Sequence, residues 1–382
     1  VAQEPQPVEP VQPSEPSPPI LKEPPPRTAV LPDYSNLTVS RWEDLPGWSS
    51  DNLREAWPVF IASCMALKER REWQGVCGAA AEVTSHDAAS LRLFFENRFQ
   101  PWLLRAENSD RGLVTGYYEP LLQGSRTRSA KYRYPLYSVP PDLVRVEIEE
   151  VFPALKGQRV RGRLEGGRVV PYYTRGEIDR GQAGLRGHEL LWLEDAVALF
   201  FLHVQGSGRV RLESGETVRV GYADHNGHPY RSIGKVLIER GELPPEKASM
   251  QGIQAWARQN PDKLPQLLAE NPAYVFFREL PANLPGPLGT LGVPLTARRS
   301  IAIDPAFVPL GAPVYLATSW PNTTDPLNRL MLAQDTGTAI KGRSRADFFW
   351  GFGAEAGQLA GRMRQTGRMW VLLPKEWNSA AR

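Results

Sequence analysis

Two aspartates near the C-terminal end have the residue type and the company for proton chemistry. Asp335 opens Asp335-Thr336-Gly337 behind the apolar run LMLA, and Asp347 stands twelve residues later, directly before Phe348-Phe349-Trp350-Gly351. Carboxylates at the ends of short strands, among glycines and rings, suit the lining of a pocket. A carboxyl beside apolar rings loses hydration, so its pKa rises, and a second carboxylate close by raises it further. A group tuned in that way can serve as a general acid near neutral pH. Lys341, Arg343 and Arg345 would oppose the shift if they approach. The plain alternative is a solvated loop with a capping Asp. Asp-Thr-Gly also invites an aspartic-protease reading, but that chemistry needs two carboxylates sharing a proton. No second Asp-Thr-Gly or Asp-Ser-Gly occurs in the chain.

Other reactive types offer less. His225 and His228 with Asp224 have the look of a metal cluster, yet they surround an Asn226-Gly227 turn with no third histidine near, so turn polarity accounts for them better. His203 is expected in a strand beside Gln205-Gly206-Ser207-Gly208. Gly206-Ser207-Gly208 lacks the five-residue pattern of a nucleophile elbow, and no phosphate loop or dinucleotide fingerprint appears. The 36 aromatic residues, 11 of them Trp, matter more. Tyr117-Tyr118, Tyr172-Tyr173 and Phe348-Phe349-Trp350 cluster beside polar residues or glycines. Flat faces with a hydroxyl or indole handle suit amphipathic ligands such as sugars, with core packing as the alternative.

The elements that must hold these residues are mostly strands. Asp51–Arg71 has helical spacing with Ser50 or Asp51 as cap and Pro58 as an expected kink. Ala88–Arg105 is expected to be helical, with a break near Pro101. From Leu113 to about Gly234, short apolar or alternating runs are separated by turn signals, which indicates a barrel or sandwich. Glu165-Gly166-Gly167 and Asn226-Gly227 are expected hairpin turns. Ala196–Val204 reads as a buried strand or a short buried helix. A helix over Met250–Asn271 precedes a second strand block, which ends in a helix over Gly353–Gln365 and a strand over Arg368–Leu373. One β unit inserted into another, with a cleft between them, is the natural division, and such clefts favour ligands.

Composition sets the outer limits. Net charge is +3, too balanced for a polyanion-binding face, and no nucleic acid is expected as a partner. Pro and Gly make up about 18% of the chain, below wholesale low complexity but awkward for a helical bundle. Eleven of the 36 prolines lie in the first 32 residues, a stretch without glycine or aromatic residues. It reads as an extended, semi-rigid spacer over residues 1–33. No apolar run approaches the ~18 residues of a membrane span. Cys64 and Cys77 are either two buried thiols or one disulfide, and a disulfide would mean an oxidising compartment.

Four separated stretches together resemble the membrane-bound lytic transglycosylase A family of bacterial cell-wall enzymes. They are Thr115–Pro120 (TGYYEP), Pro171–Ile178 (PYYTRGEI), His203–Gly208 (HVQGSG), and the series AIDPAFVPLGAPVY, AQDTGTAIKG and ADFFWGFG. The resemblance implies a mainly β fold with helices. A double-psi β-barrel domain would come from residues 34–118 and 272–382. A second, smaller β-barrel domain, 119–271, would be inserted in it, with a groove between the two. It further implies cleavage of the β-1,4 bond between N-acetylmuramic acid and N-acetylglucosamine without water, leaving 1,6-anhydromuramic ends. Asp347 matches the family's catalytic acid and base, and Asp335 matches its second aspartate. Thr115, Tyr117, Tyr118, Gln205, Gly206, Ser207 and Lys341 are the expected sugar contacts. No cofactor or metal is called for. The glycan strand is the expected partner, with proteins of a wall-synthesis or hydrolase complex beside it. The expected place is the periplasm, held to the outer membrane by an N-terminal lipid anchor. The proline leader and Arg343–Arg345 depart from the family's pattern. A glycan-binding wall protein without turnover is the alternative function, ahead of an aspartic protease.

Overall fold

A computed structural model describes residues 37–106, 109–148, 150–152 and 159–377, so the expected spacer lies outside the described residues. After strand β1 (Leu37–Val39) come three helices, α1 (Leu53–Leu67), α2 (Arg71–Ala81) and α3 (Ala88–Arg98). Helix α1 runs unbroken through Pro58, and its N-cap is Asn52 rather than Ser50 or Asp51. Pro58 sits in the second turn, where its missing N–H costs a single hydrogen bond. Asp51 is instead committed to the barrel, pairing with buried Arg299 at 3.0 Å and accepting the Leu330 N–H. Cys64 on α1 and Cys77 on α2 form a disulfide.

The helix expected through Arg105 ends at Arg98, where strand β2 (Phe99–Leu104) begins. The apolar run FFENRFQPWLLR has no clear period, and tertiary pairing decides it. Strand β3 (Gly112–Glu119) leads into a second unit of strands β4 (Leu121–Ser125), β5 (Tyr134–Tyr137), β6 (Val144–Val146), β7 (Val160–Glu165), β8 (Arg168–Pro171), β9 (Glu189–Leu193), β10 (Ser207–Leu212), β11 (Thr217–His225) and β12 (Val275–Leu280). Six of these form one sheet in the order β12-β11-β10-β4-β9-β5, and β6-β7-β8 form a small second sheet. Strand β12 pairs with β11 beyond the boundary expected at Asn271. Between the strands lie helices α4 (Arg175–Asp179), α5 (Ala196–Gln205), α6 (Ile233–Glu239), α7 (Met250–Gln259) and α8 (Leu264–Ala269).

His203 lies in α5, not in a strand, and the apolar run around it is a helix buried on most sides. Met250–Asn271 is two helices, α7 and α8. Asn226-Gly227 makes no hairpin: buried Asn226 donates to the carbonyls of Tyr173 and Pro272 and accepts the Tyr274 N–H. Glu165-Gly166-Gly167 does turn β7 into β8.

The chain then returns to the first unit with β13 (Ser300–Ile303), β14 (Pro313–Ser319), β15 (Pro326–Asp335), β16 (Arg345–Phe352), helix α9 (Gly353–Arg362) and β17 (Arg364–Pro374). Strands β17-β14-β15-β13-β16-β3 are paired in that order, and β3 pairs back onto β17. Six strands are therefore closed into a ring with no free edge among them, which is what defines a barrel. Two of the pairings, β13–β15 and β16–β3, are parallel. The three N-terminal helices pack their rings against this barrel in one large core, with Phe60, Phe95, Phe99 and Trp370 almost fully buried.

Candidate active site

Register places the candidate residues in one row. Ala302 on β13 is opposite Asp335 on β15 on one side and opposite Asp347 on β16 on the other. Asp347 is in turn opposite Thr115 on β3. Residues in register on neighbouring strands face the same side, with strands about 4.8 Å apart. The two carboxylates thus flank a methyl group, one strand away on either side. A register shift between Ile301 and Ala302 brings Asp335, rather than Gln334, opposite Ala302. Such a bulge re-aims side chains, and Gln334 is turned inward, bonded to Ser300, Ser63 and the Val59 carbonyl.

The two carboxylates are held differently. Asp335 accepts three hydrogen bonds: from Thr290 N–H at 2.9 Å and Thr290 O–H at 3.0 Å on Oδ1, and from Tyr117 O–H at 3.1 Å on Oδ2. Asp347 accepts one, from the Thr115 hydroxyl, at 2.5 Å on Oδ1. Asp347 keeps part of its own surface open yet is packed round by protein, and the packing governs its titration. Burial pushes its pKa up, the Thr115 bond and the Arg345 charge pull it down, and the Asp335 charge adds to the rise, leaving it at about 6. Tyr117 is pushed well above its usual value by burial and by the two aspartates, so it is a neutral donor. Its ring packs against Phe349, centroids 5.1 Å apart and planes tilted by 45°, in one buried apolar cluster with Leu295, Ala302 and Ile340.

Glycines let the surrounding elements close in. A Cβ on Gly116 would stand 2.6 Å from Trp350 Nε1, and one on Gly357 of α9 would stand 2.8 Å from the Tyr118 ring. The second unit reaches the same strand: Gln205 Oε1 accepts the Tyr118 N–H at 3.0 Å. Gly206, with φ 76°, ends α5 in the left-handed conformation and so sets Gln205 at that point. Ser207 is buried at the start of β10. Lys341 is exposed and lies 3.8 Å from Asp304. The structure therefore brings Asp335, Asp347, Thr115 and Tyr117 together, with Tyr118 and Gln205 at the crossing between units. Ser207 and Lys341 are not bonded to them.

The suspected His225–His228–Asp224 cluster is engaged elsewhere. Arg145 and Arg161 each bond Asp224 at 2.8 Å, His225 Nδ1 accepts the Gly227 N–H, and His228 Nε2 bonds the Tyr172 carbonyl. His203 Nδ1 accepts from buried Arg175 at 2.7 Å.

Residues 113–278 match the MltA specific insert domain, and residues 299–373 match the 3D domain. Membrane-bound lytic murein transglycosylase A of Escherichia coli strain K12 is 34% identical over 293 residues, covering 75% of this chain and 72% of that protein. The chain belongs to the membrane-bound lytic murein transglycosylase A family. Among solved MltA structures, that from Neisseria gonorrhoeae in its monoclinic form has a TM-score of 0.77 at 42% identity, covering 88% of this chain and 92% of that one. The structure of E. coli MltA with bound chitohexaose has a TM-score of 0.64 at 30% identity, covering 85% and 90%. These MltA structures share the sheet-rich, two-unit architecture found here.

Sequence reasoning missed Thr290 as an MltA-site residue. It lies in a loop ahead of β13, with nothing in Gly289-Thr290-Leu291 to mark it. Arg345 was expected only as a charge opposing the shift, whereas its Nη2 also donates to Thr115 Oγ1 at 2.8 Å.

Proposed function

We propose that this protein is a peptidoglycan lytic transglycosylase with Asp347 as its one acid and base. The observation that carries this reading is the asymmetry of the pair. Asp347 has a single hydrogen bond and a pKa pushed to about 6, while Asp335 has its oxygens taken by three donors. A glycosidase that adds water needs a second carboxylate as base or nucleophile, and a carboxylate so fully bonded is poorly placed for either. A lytic reaction needs only one. Protonated Asp347 gives its proton to the glycosidic oxygen between N-acetylmuramic acid and N-acetylglucosamine, and the C1–O bond breaks with its electron pair on the leaving oxygen. The muramic C6 hydroxyl oxygen then bonds to C1, and its proton returns to Asp347. The products balance without water, and one carries a 1,6-anhydro ring. Asp335 supplies negative charge beside the developing sugar cation and helps keep Asp347 protonated.

The substrate reading draws support from the related E. coli MltA, whose structure was solved with bound chitohexaose. Tyr118, Gln205 and Gly206, at the crossing of the two units, are the proposed sugar contacts, with Tyr117 beside Asp335, buried Ser207 and exposed Lys341 as the further candidates. The same division assigns residues 34–118 and 272–382 to a catalytic barrel domain and 119–271 to an inserted domain, with the glycan in the groove between them. The disulfide supports an oxidising compartment, in line with a periplasmic enzyme held at the outer membrane by a lipid anchor and working beside other wall enzymes. No helix of the described residues is long and apolar enough to cross a membrane.

Purified murein incubated with wild type and with Asp347→Asn tests the function. Soluble anhydromuropeptides are expected from the first alone. Fragments with reducing ends would make the protein a hydrolase, and intact but bound glycan would make it a binding protein.

A further inference from the structure

Resting on the reading of Asp347 as the acid, a second question is which of its oxygens carries the proton. Thr115 lies between Arg345 and Asp347 on the barrel face. Arg345 Nη2 is 2.8 Å from Thr115 Oγ1, and Thr115 Oγ1 is 2.5 Å from Asp347 Oδ1. A guanidinium can only donate, whereas a threonine hydroxyl has one proton and two lone pairs. Thr115 therefore accepts from Arg345 and spends its one proton on Asp347 Oδ1. With Oδ1 fixed as an acceptor, the proton of neutral Asp347 sits on Oδ2. Among the described residues, no protein group hydrogen-bonds Oδ2, and Asp347 keeps part of its surface open.

The guanidinium is anchored rather than free. Arg345 is opposite Leu113 in the β16–β3 register, and its Nη1 donates to the Leu113 carbonyl at 3.4 Å and to the Ala346 carbonyl. It is thus tied to both strands that carry the Thr115–Asp347 bond. Without it, the Thr115 hydroxyl is free to rotate and accept the Asp347 proton, locking that proton in an internal bond away from substrate. We propose that Arg345 is a positioning residue: it holds Thr115 as a donor to Asp347 Oδ1, so that the acid presents its proton from Oδ2. This replaces the expectation that Thr115 contacts sugar.

Arg345 also acts on Asp347 by charge, and the two effects separate in a pH profile. The other groups that face the pair are Tyr117 from β3 and Asp335 from β15, with Arg364 of β17 beyond Arg345. Turnover of murein is measured as kcat against pH for wild type, Arg345→Met, Arg345→Gln, Thr115→Val, Thr115→Ser and the double variant Thr115→Val/Arg345→Met. Thermal unfolding of each preparation gives the folded fraction. Below pH 6, where Asp347 is protonated, Arg345→Met and Thr115→Val are each expected to lose about tenfold in kcat, part of what a positioned general acid supplies. The double variant is expected to lose no more than Thr115→Val alone. Thr115→Ser, which keeps the hydroxyl, and Arg345→Gln, which keeps an N–H donor without the charge, are expected to stay within a few-fold of wild type. A full acid-side kcat in Arg345→Met, with only the pH limb moved, would reduce Arg345 to a charge effect and overturn the proposal. So would single losses that multiply in the double variant, or a loss in Arg345→Gln as large as in Thr115→Val. Failure of the underlying reading looks different: wild type would release no anhydro product, or Asp347→Asn would keep its rate.

Discussion

Asp347 in the barrel wall and Asp224 in the inserted sheet are both carboxylates enclosed by protein, and their surroundings drive them in opposite directions. Burial raises Asp224 as well, but hydrogen bonds from Arg161, the His225 N–H and Arg145, with the Arg161 charge, outweigh it and hold Asp224 below the ordinary carboxylate range. Around Asp347 burial wins, because the one hydroxyl and one guanidinium that oppose it are joined by a second carboxylate that reinforces it. Two arginines on one buried Asp make a fixed anchor tying β6 and β7 to β11. One hydroxyl on a buried Asp leaves a group able to gain and lose a proton where it works. Enclosure is common to both; the difference lies in how far charge and hydrogen bonds offset it.

The contrast can be broken first at Asp347. Asp347→Asn is expected to lower murein turnover by about a thousandfold, within the usual range for a general acid, while the far-ultraviolet spectrum stays that of wild type. Wild-type kcat/KM is expected to fall as pH rises through about 6, the pH at which Asp347 loses its proton.

Asp224→Asn should do the reverse. Removing one partner of a buried ion pair leaves the other uncompensated, so urea unfolding is expected to find the variant about 3 kcal/mol less stable, with turnover per folded molecule retained. The sign with pH also differs. Asp224, with its folded pKa lowered, adds stability that is present above the unfolded pKa of about 3.9 and lost as pH falls through its folded value. Asp347, with its folded pKa raised to about 6, favours the folded state when protonated, and that benefit is lost as pH rises through about 6. Asp347→Asn is therefore expected to be more stable than wild type by about 3 kcal/mol at pH 7, with the gain gone below about pH 4. An Asp347→Asn variant less stable than wild type at pH 7 would erase the contrast.

The smallest effect is expected at the neighbouring carboxylate. Tyr117→Phe removes one of the three donors on Asp335, a bond worth about 1 kcal/mol, and should slow turnover a few-fold without shifting the product.

How much of this was legible in the sequence follows from what each residue depends on. Asp335 and Asp347 could be picked out because glycines and rings surround them in the chain itself. Their placement on either side of Ala302 could not, since it depends on a parallel pairing and on a one-residue bulge that no local signal marks. Thr290 comes to Asp335 from 45 residues upstream, in a stretch (residues 281–297) without charge or aromatic ring. Apolar runs gave the least clear signal: FFENRFQPWLLR turned to strand at Phe99 because β1 and β17 take it up on both sides, and AVALFFLHV, open to either a buried strand or a short buried helix, is the helix, which puts His203 on it rather than in a strand. Asn226-Gly227 had the chemistry of a hairpin turn, but the Asn side chain is used to bind backbone groups of two other connections, at Tyr173 and at Pro272 and Tyr274. The Arg pair that neutralises Asp224 belongs to strands well over fifty residues upstream, so the suspected metal cluster could be dismissed from the chain alone only on spacing.

The central claim is that one carboxyl suffices because no water enters the reaction. Digestion of murein by the wild-type protein in heavy-oxygen water, followed by mass spectrometry of the released glycan fragments, tests it most directly. The account predicts fragments one water lighter than hydrolysis products and free of the isotope. Heavy oxygen at the new glycan ends would contradict it, and would place a second base, with Asp335 the first suspect, beside Asp347.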